Sequence, residues 1–506
     1  MIAPLSLQPA APLISLAIFI SKGSVKVSKF NSSQTNRTAN KSGHVAYKMP
    51  EKQKLVTQVL TSFFNEKKFY GDNSAEMQET IKKVVADDPQ FIAKLAVFAR
   101  REFNMRSVSH VLVAYLAHEV AGKPYVRDVV KAVALRGDDL TEIMSCYLGM
   151  FGKPVPNSLK KGFNDVLVRL DAYSLAKYKG DGKTVKMRDL LCLCRPTPKN
   201  DAQSAMWKRL LDGKLETPYT WESELSAKGN NAATWEALID SGKVGYMALL
   251  RNLRNILNAR PKNAGKVLDL IQNPEAVKRS RQLPFRYLSA YKEVANTNVG
   301  GTRVLDALEN AVDAAIANVP KIPGTTVVAV DTSGSMGAAI SGKSSVRCYE
   351  VGMMLGLIAN RICENAYFYT FDTDIRKENH SSRDGILSTV AMSHSGGGTN
   401  MYLPFEKMMK DRIEADRVII LSDNECNSGG GWYGRYPVQK IAEMYRKQSG
   451  KDVWVHAIDL LGYGTQQFHG KKTNVIAGWS EKVFDFILLA EQGVGSLEKT
   501  IEEYAY

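Results

Sequence analysis

The spacing of apolar residues along the chain changes once, near residue 320. Before that point, apolar residues recur at intervals of three and four in most segments, which is the pattern of amphipathic helices. The segments 49–64, 75–103 and 303–319 are examples. Strand-like alternation is nearly absent, and helices separated by short polar breaks predict a helical-repeat array without a fixed period.

After the Pro/Gly segment 321–324, β-branched and aromatic runs alternate with helical stretches. Helices are predicted at 344–362 and 497–506. Strands are predicted at 325–331, 366–372, 416–423, 453–460 and 482–487. Strands that alternate with helices predict a mostly parallel, doubly wound α/β sheet, which binds ligands at the carboxyl ends of its strands.

The N-terminal segment predicts no folded element. Residues 8–21 are apolar, but no positively charged stretch precedes them and no A-x-A pattern follows. We therefore favour a start assigned upstream of the true one over a signal peptide. The composition predicts a non-structural extension at 1–27 and a flexible or surface-bound arm at 28–48. The predicted domains are a basic helical module over 28–319 and an α/β domain over 325–506.

The positive charge is confined to the helical module. The chain carries 67 Lys and Arg against 52 Asp and Glu, and residues 321–506 hold 20 of the former and 22 of the latter. The first 320 residues therefore hold 47 basic and 30 acidic groups. A domain this basic attracts polyanions, of which nucleic acid is the commonest. A basic surface without a partner is the alternative.

Cysteine usage and hydropathy indicate a cytosolic protein. The six cysteines include Cys192 and Cys194, which are spaced too tightly for the usual zinc knuckle, and no matching pair follows. We expect reduced thiols and a cytoplasmic location. No run reaches the ~18 apolar residues that a membrane span needs, so no membrane association is expected.

Five oxygen-bearing side chains follow predicted strands. Asp331, Ser333 and Ser335 alternate directly after the first strand. Thr399 follows three glycines, and Asp423 ends a later strand. Because the carboxyl ends of parallel strands meet at one edge, these oxygens can converge on one divalent cation. Hard oxygen ligands favour Mg²⁺, with Mn²⁺ or Ca²⁺ as alternatives. A turn in which Ser and Asp cap helix N–H groups is the structural alternative.

A second motif overlaps this region. Residues 337–344 fit G-x-x-x-x-G-K-[ST], the phosphate-binding P-loop, with Lys343 as its lysine. Five residues separate Asp331 from Gly337, whereas a P-loop follows its strand closely, so nucleotide binding is not favoured. No acid/base pair, nucleophile dyad or two-metal cluster appears in the sequence, and no catalysis is predicted.

Basic side chains cluster in the helical module, with aromatic residues between them. Lys and Arg neutralise phosphates, and aromatic faces stack on unpaired bases. A solvated helix face, with the aromatic residues in the core, is the alternative for each cluster. The candidate RNA-binding residues are Lys177, Lys179, Lys183, Lys186, Arg188, Arg195, Arg251, Arg254, Arg281 and Arg286.

The sequence resembles two known domain types. D-x-S-x-S at 331–335, with Thr399 and Asp423, resembles the metal-ion-dependent adhesion site (MIDAS) of von Willebrand factor A domains. From residue 30 to the end, the chain resembles the Ro autoantigen family, whose helical module is called TROVE. The segments that carry this resemblance are SGHVAYKM, KFYGD, KYK…MRDLL…RPTP, YMALLRNLRNI, QLPFRYLSAY, AVDTSGSM, GGGTNMYLP and LSDNE, in this order.

The resemblance implies a ring of antiparallel, HEAT-like helical repeats closed by the von Willebrand A domain. It also implies that Y-like small noncoding RNA binds outside the ring and that single-stranded ends of misfolded RNAs enter its hole. Bacterial members of the family act in RNA quality control and stress responses, often with an exoribonuclease.

The match to the family's Y-RNA surface is partial. That surface includes basic residues in the stretch that matches 177–195, which makes Lys177, Lys179 and Arg188 candidates for RNA contacts. Cys194 and Arg195 stand where vertebrate relatives have Ser and His. Arg195 can replace the missing histidine as a phosphate contact, although recognition of the same kind of Y RNA does not follow. We expect a non-enzymatic RNA-binding protein. The alternatives are a metal-dependent interaction module that docks an acidic protein ligand, with incidental RNA binding, and a P-loop NTPase.

Overall fold

The structure is a computed structural model. It describes residues 37–40, 43–61, 74–297, 300–317, 319–340, 344–381, 383–426, 436–493 and 497–506. These residues belong to one compact unit, Arg37–Tyr506. The extension predicted at 1–27 lies outside the described residues.

Helices dominate the first part of this unit, as predicted. Two short strands, β1 (Arg37–Ala39) and β2 (Val45–Lys48), precede them. The helices described up to residue 316 are α1 (Glu51–Thr61), α2 (Ser74–Asp87), α3 (Pro89–Arg101), α4 (Ser107–His118), α5 (Lys123–Val133), α6 (Gly137–Phe151), α7 (Asn157–Leu167), α8 (Ala172–Lys177), α9 (Met187–Cys194), α10 (Asp201–Leu211), α11 (Trp221–Lys228), α12 (Ala232–Asp240), α13 (Tyr246–Arg251), α14 (Leu253–Ala259), α15 (Ala264–Ile271), α16 (Pro274–Ser280), α17 (Pro284–Thr297) and α18 (Gly301–Ile316).

Local sequence sets where these helices begin, and apolar faces set how they pack. The predicted helical segment 75–103 is two helices, because Pro89 begins α3 and the Asp88 side chain accepts a hydrogen bond from Phe91 N at 3.0 Å. Helix α4 is buried along 108–117 and packs against α3, α5 and α6. A helix that is apolar on all sides lies inside a packed layer. The prediction of a helical-repeat module is confirmed.

The second part of the unit is an α/β domain. Its described elements are β3 (Ile322–Asp331), α19 (Cys348–Ile362), β4 (Cys363–Phe371), β5 (Ile375–Glu378), α20 (Ile386–Met392), α21 (Leu403–Lys410), β6 (Arg417–Ser422), α22 (Val438–Ser449), β7 (Trp454–Asp459), β8 (Thr465–Gln466), β9 (Thr473–Ala477), α23 (Val483–Glu491) and α24 (Leu497–Glu502).

The main sheet has the strand order β5-β4-β3-β6-β7-β9. Neighbouring strands are parallel except for the antiparallel pair β4–β5. Val328 and Val330 in β3 belong to one hydrophobic core, and Val327 and Ala329 belong to another. The sheet is therefore covered on both faces, as a parallel sheet requires, and the predicted doubly wound domain is confirmed.

One prediction of local structure was wrong. The segment 482–487 was expected to be a strand, but it begins α23, whose buried residues Val483, Phe484, Ile487 and Ala490 have helical spacing. The arm at 28–48 was expected to be flexible or surface-bound, and its described residues fit the second possibility. There β1 pairs with β2, and β2 pairs with β8 of the α/β domain through Tyr47–Gln466 and Lys48–Thr465.

Both ends of the helical module contact the α/β domain. At the N-terminal end, Glu102 accepts hydrogen bonds from Lys482 Nζ at 2.7 Å and from the Tyr504 hydroxyl at 2.9 Å. At the C-terminal end, Lys292 Nζ in α17 donates to both carboxylate oxygens of Glu350 in α19, at 2.7 and 2.9 Å. The helical module thus contacts the α/β domain at both of its ends, which the predicted ring requires.

Candidate functional site

The predicted metal ligands lie at the carboxyl edge of the main sheet. Asp331 ends β3, and Asp423 directly follows the neighbouring strand β6. The three-glycine loop is held against the loop after β3, because Gly396 N donates to Thr332 O at 2.8 Å and Gly334 N donates to Gly397 O at 3.0 Å. Thr399 lies on the same loop, so these backbone contacts also help to position it.

Gly397 permits this approach of the two loops. Its φ is +76°, in the left-handed region, and a Cβ built there would lie 2.7 Å from Thr373 Oγ1. A side chain would therefore clash where the loop crosses the end of β4. Gly397 thus has a structural reason that is independent of any ligand.

Hydrogen bonds orient the first aspartate. Asp331 Oδ1 accepts from Ser333 N at 2.9 Å, and Asp331 Oδ2 accepts from the Ser422 hydroxyl at 2.6 Å. The Ser333 and Ser335 hydroxyls lie 3.1 Å apart. Ser422 was missed by the sequence analysis, because it lies within a buried strand and no ligand motif includes it. It holds the carboxylate in place from the neighbouring strand.

Among the described residues, no cationic side chain pairs with the two buried aspartates. Asp331, Ser333 and Asp423 are fully buried and Thr399 nearly so, whereas Ser335 is exposed. Burial, together with the charge of Asp423, raises the pKa of Asp331 to about 7. Burial also raises the pKa of Asp423. Each charged carboxylate therefore destabilises the other in the absence of a cation.

Two carboxylate oxygens at this edge have no hydrogen-bond partner among the described residues, one on Asp423 and one on Asp459, which ends β7. Asp423 Oδ2 is buried and has no hydrogen-bond partner among the described residues. A buried carboxylate oxygen of this kind fits a hard cation, as do the hydroxyls nearby. Within the described ranges, no group of three or more His, Cys, Asp and Glu side chains is arranged to hold a metal. The candidate centre therefore depends on its Ser and Thr hydroxyls.

The geometry around the alternative P-loop motif does not favour nucleotide binding. Gly342 and Lys343 lie outside the described residues. Gly334–Gly337 forms a 3₁₀ turn, and α19 begins only at Cys348, four residues after Ser344. In a P-loop, the Lys and Ser/Thr open the helix that follows the loop. The motif is thus displaced from both its strand and its helix.

Six of the ten candidate RNA contacts lie in one segment that includes α8, the loop 178–186 and α9. Lys177 Nζ lies 5.5 and 5.7 Å from the ring centres of Tyr173 and Tyr178. Lys179 and Lys183 form ion pairs of 2.7 Å with Asp181 and Glu142. The segment thus carries cations and aromatic faces together.

Several cations of this segment remain available for an anionic partner. Lys177, Lys186 and Arg195 form no ion pair in the part of the chain that the structure describes. Arg188 is paired only at 3.8 Å, with Asp189. Arg195 ends α9 in the left-handed conformation, with φ +49°. We refer to residues 177–195 as the basic segment.

The other four candidates lie on later helices. Arg251 is exposed at the end of α13, and Arg254 in α14 pairs with Glu293 of α17. Arg281 follows α16, and the charge of Arg281 helps to lower the pKa of Glu102. Arg286 in α17 lies 5.1 Å from the ring centre of Phe285. These residues do not adjoin the basic segment in the chain and are partly engaged in contacts within the protein.

The fold and the site together define a class of protein: a helical-repeat module closed by an A-type α/β domain. A model of the TROVE domain matches residues 44–213 and 201–303, and a model of the Ro60 vWA domain matches residues 325–458. The chain belongs to the TROVE-domain family.

Similar proteins from other organisms support this assignment. The RNA-binding protein RO60 of Deinococcus radiodurans is 26% identical over 392 residues, which cover 67% of this chain and 72% of that protein. Telomerase protein component 1 of Rattus norvegicus is 25% identical over 322 residues, 47% of this chain but only 12% of that much longer protein. RNA-binding protein RO60 of Caenorhabditis elegans is 26% identical over 235 residues, 44% of this chain and 35% of that protein.

A solved structure shows the same fold. The crystal structure of the Deinococcus radiodurans RO (RSR) protein matches with a TM-score of 0.61 at 19% identity, covering 87% of this chain and 100% of that chain. None of the helices in the described ranges has the length and hydropathy needed to cross a membrane.

Proposed function

We propose that this chain is a non-catalytic RNA-binding protein of the cytoplasm. It binds Y-like small noncoding RNA and the single-stranded ends of misfolded RNAs, and it serves RNA quality control or a stress response. Two relatives are named RNA-binding proteins, which supports the proposal. The observation that carries it is the basic segment, which presents several cations without strong acidic partners.

The chemistry of the basic segment suits a polyanion with unpaired bases. Lys177, Lys186 and Arg195 can neutralise phosphates directly. The ion pairs of Lys179 and Lys183 are exposed, and such pairs contribute at most about 1 kcal/mol, so phosphates can displace the carboxylates. Tyr173 is 49% exposed beneath Lys177 and offers a face for base stacking.

We also propose that a divalent cation, Mg²⁺ in the first place, binds at the carboxyl edge of the main sheet. When bound, it supplies a Lewis-acidic position for an anionic oxygen of a partner, such as a carboxylate of an exoribonuclease or another acidic protein. The buried carboxylates and the hydroxyls of this chain hold the ion and fix its place. The proposed ligands are Asp331, Ser333, Ser335, Thr399 and Asp423.

Charge reversal tests where RNA binds. A variant with Lys177→Glu, Lys179→Glu and Arg188→Glu is expected to weaken binding of a labelled structured RNA, measured by fluorescence anisotropy. It should also reduce the slope of log Kd against log salt by about 2–3, because each lost phosphate contact removes slightly less than one unit.

The matched control reverses three exposed lysines of the α/β domain: Lys410→Glu, Lys440→Glu and Lys447→Glu. It changes the net charge by the same amount and should leave the affinity within about twofold. Asp331→Ala should also leave RNA affinity unchanged. A wild-type Kd that does not depend on salt, or equal losses in the two charge-reversal variants, would refute binding at the basic segment.

A further inference from the structure

A cleft of about 450 Å³ lies between α6, α7 and α9, and the basic segment forms part of its wall. Sequence analysis did not detect it, because its walls come from five separate stretches of the chain. We call it the α6–α9 cleft. Its lining residues include Met144, Lys153, Lys160, Asp189, Leu190 and Leu193.

The interior of the α6–α9 cleft is apolar. Met144 and Leu190 are each 1% exposed, whereas Leu193 is 41% exposed at the C-terminal end of α9. A single exposed leucine is ordinary, but a concave site lined by several apolar side chains is typical of a binding site. The volume lies in the range of about 300–1,000 Å³ found for small-ligand pockets.

Charged groups at the α6–α9 cleft narrow down what can occupy it. Lys153 and Lys160 line it, and neither forms an ion pair within the described part of the chain. The Asp189 carboxylate also lines it. One of its oxygens, Oδ2, accepts a hydrogen bond from Lys186 N at 2.9 Å, and the carboxylate can accept further donors. The site thus combines apolar walls, an acceptor for N–H groups and two cations.

A nucleotide that is not base-paired has matching chemistry. Its base has two apolar faces and N–H donors at its edge, and its phosphates carry negative charge. A paired base cannot enter, because its faces are stacked and its edge is engaged by the opposite strand. An apolar side chain of a protein partner would fill the cleft and pack against its walls, but it would leave both lysines without an anion.

We propose that the α6–α9 cleft binds the unpaired base of a single nucleotide in the RNA, while Lys153 and Lys160 contact the adjacent phosphates. This inference rests on the proposed RNA-binding function and identifies the part of the RNA that is selected. The basic segment then supplies affinity for any phosphate backbone, and the cleft favours RNA with a base outside the helix.

The test uses two hairpin RNAs that differ in one position. One carries a single bulged 2-aminopurine, and the other is fully paired. The wild-type protein should bind the bulged hairpin about tenfold more tightly, because only its base can bury apolar surface in the cleft. The fluorescence of 2-aminopurine should rise on binding, because the base leaves the stack of neighbouring bases that quenches it.

Leu193→Asp places a charge in the wall of the cleft at a half-exposed position. It should abolish both the preference for the bulged hairpin and the fluorescence change, and leave the thermal unfolding midpoint unchanged. Leu211→Asp is the matched control, since Leu211 is 43% exposed at the end of α10 and does not line the cleft. It should behave like the wild type.

The outcomes separate this inference from the proposed function. If the wild type binds neither hairpin, RNA binding itself is refuted and the cleft inference falls with it. If the wild type binds both hairpins equally and with a steep salt dependence, RNA binding stands and the cleft inference is overturned. It is also overturned if Leu193→Asp leaves RNA binding unchanged but alters the oligomeric state, because the cleft would then be a protein contact.

Discussion

The ion pair between Lys292 and Glu350 is expected to fasten the C-terminal end of the helical module to the α/β domain. The Glu350 side chain is 3% exposed, and Lys292 Nζ also donates to Ser345 O at 2.7 Å. Lys292→Met keeps the aliphatic stem but leaves a buried carboxylate without its cation. Removing one partner of a buried ion pair typically costs about 3–5 kcal/mol.

The expected cost lies at the lower end of that range. Glu350 Oε2 keeps the hydrogen bond that it accepts from Arg347 N at 2.8 Å, so the carboxylate is not wholly unsatisfied. We therefore expect Lys292→Met to lower the free energy of unfolding by about 3 kcal/mol. Urea unfolding monitored by tryptophan fluorescence and by circular dichroism measures this change.

A neighbouring ion pair provides the control. Arg254 pairs with Glu293, which adjoins Lys292 on α17, and these two side chains are 47% and 44% exposed. Arg254→Met should therefore cost no more than about 1 kcal/mol. In a double-mutant cycle with Glu350→Gln, the cost of Lys292→Met should fall sharply, because the buried charge is gone. Equal costs for Lys292→Met and Arg254→Met, or additive effects in the cycle, would refute the reasoning.

Two further predictions concern buried carboxylates. Mg²⁺ at about a hundred times its Kd should stabilise the wild type by about 2.7 kcal/mol. Asp423→Asn should abolish that gain and should stabilise the metal-free protein. A thermal shift by Mg²⁺ that persists in Asp423→Asn would exclude the proposed site. Burial would raise the pKa of Glu491, but hydrogen bonds from His456 and Arg417 outweigh it and hold the pKa at about 2, below its ordinary 4.5. The stability that Glu491 contributes is thus present above pH 4.5 and is lost as the pH falls towards 2. Glu491→Gln should lower the free energy of unfolding by about 3 kcal/mol at pH 7. A loss that does not become smaller at pH 3 would contradict this.

Hydrophobic spacing was sufficient to predict the two-part architecture. The strands after residue 324 are buried on both faces and therefore appear as short continuous apolar runs, which the sequence analysis located correctly for β3, β4, β6 and β7. The same criterion failed for 482–487, because a short apolar run cannot by itself distinguish a buried strand from a buried helix. The edge strands β5 and β9 were missed, since β5 is mostly charged and the apolar run of β9 is only three residues long, 475–477.

The positions of the two candidate aspartates in the fold could be predicted, because each follows an apolar run that indicates a strand. Asp331 and Asp423 do lie at the ends of neighbouring parallel strands. Ser422, which bonds to Asp331, could not be predicted, because its role depends on the alignment of β6 with β3. The α6–α9 cleft was likewise invisible in the sequence, because packing between separate helices creates it.

The pairing of β2 with β8 constrains the order in which the chain can fold during synthesis. The hydrogen bond from Gln466 Nε2 to Lys48 O joins residues that are 418 positions apart. At about 5–20 residues per second, a ribosome needs roughly 20–80 s to make the intervening chain. Until then, the apolar faces of the first helices that the α/β domain later covers are exposed to solvent. Growth temperature and chaperone supply should therefore affect the yield of this protein more strongly than that of the α/β domain expressed alone.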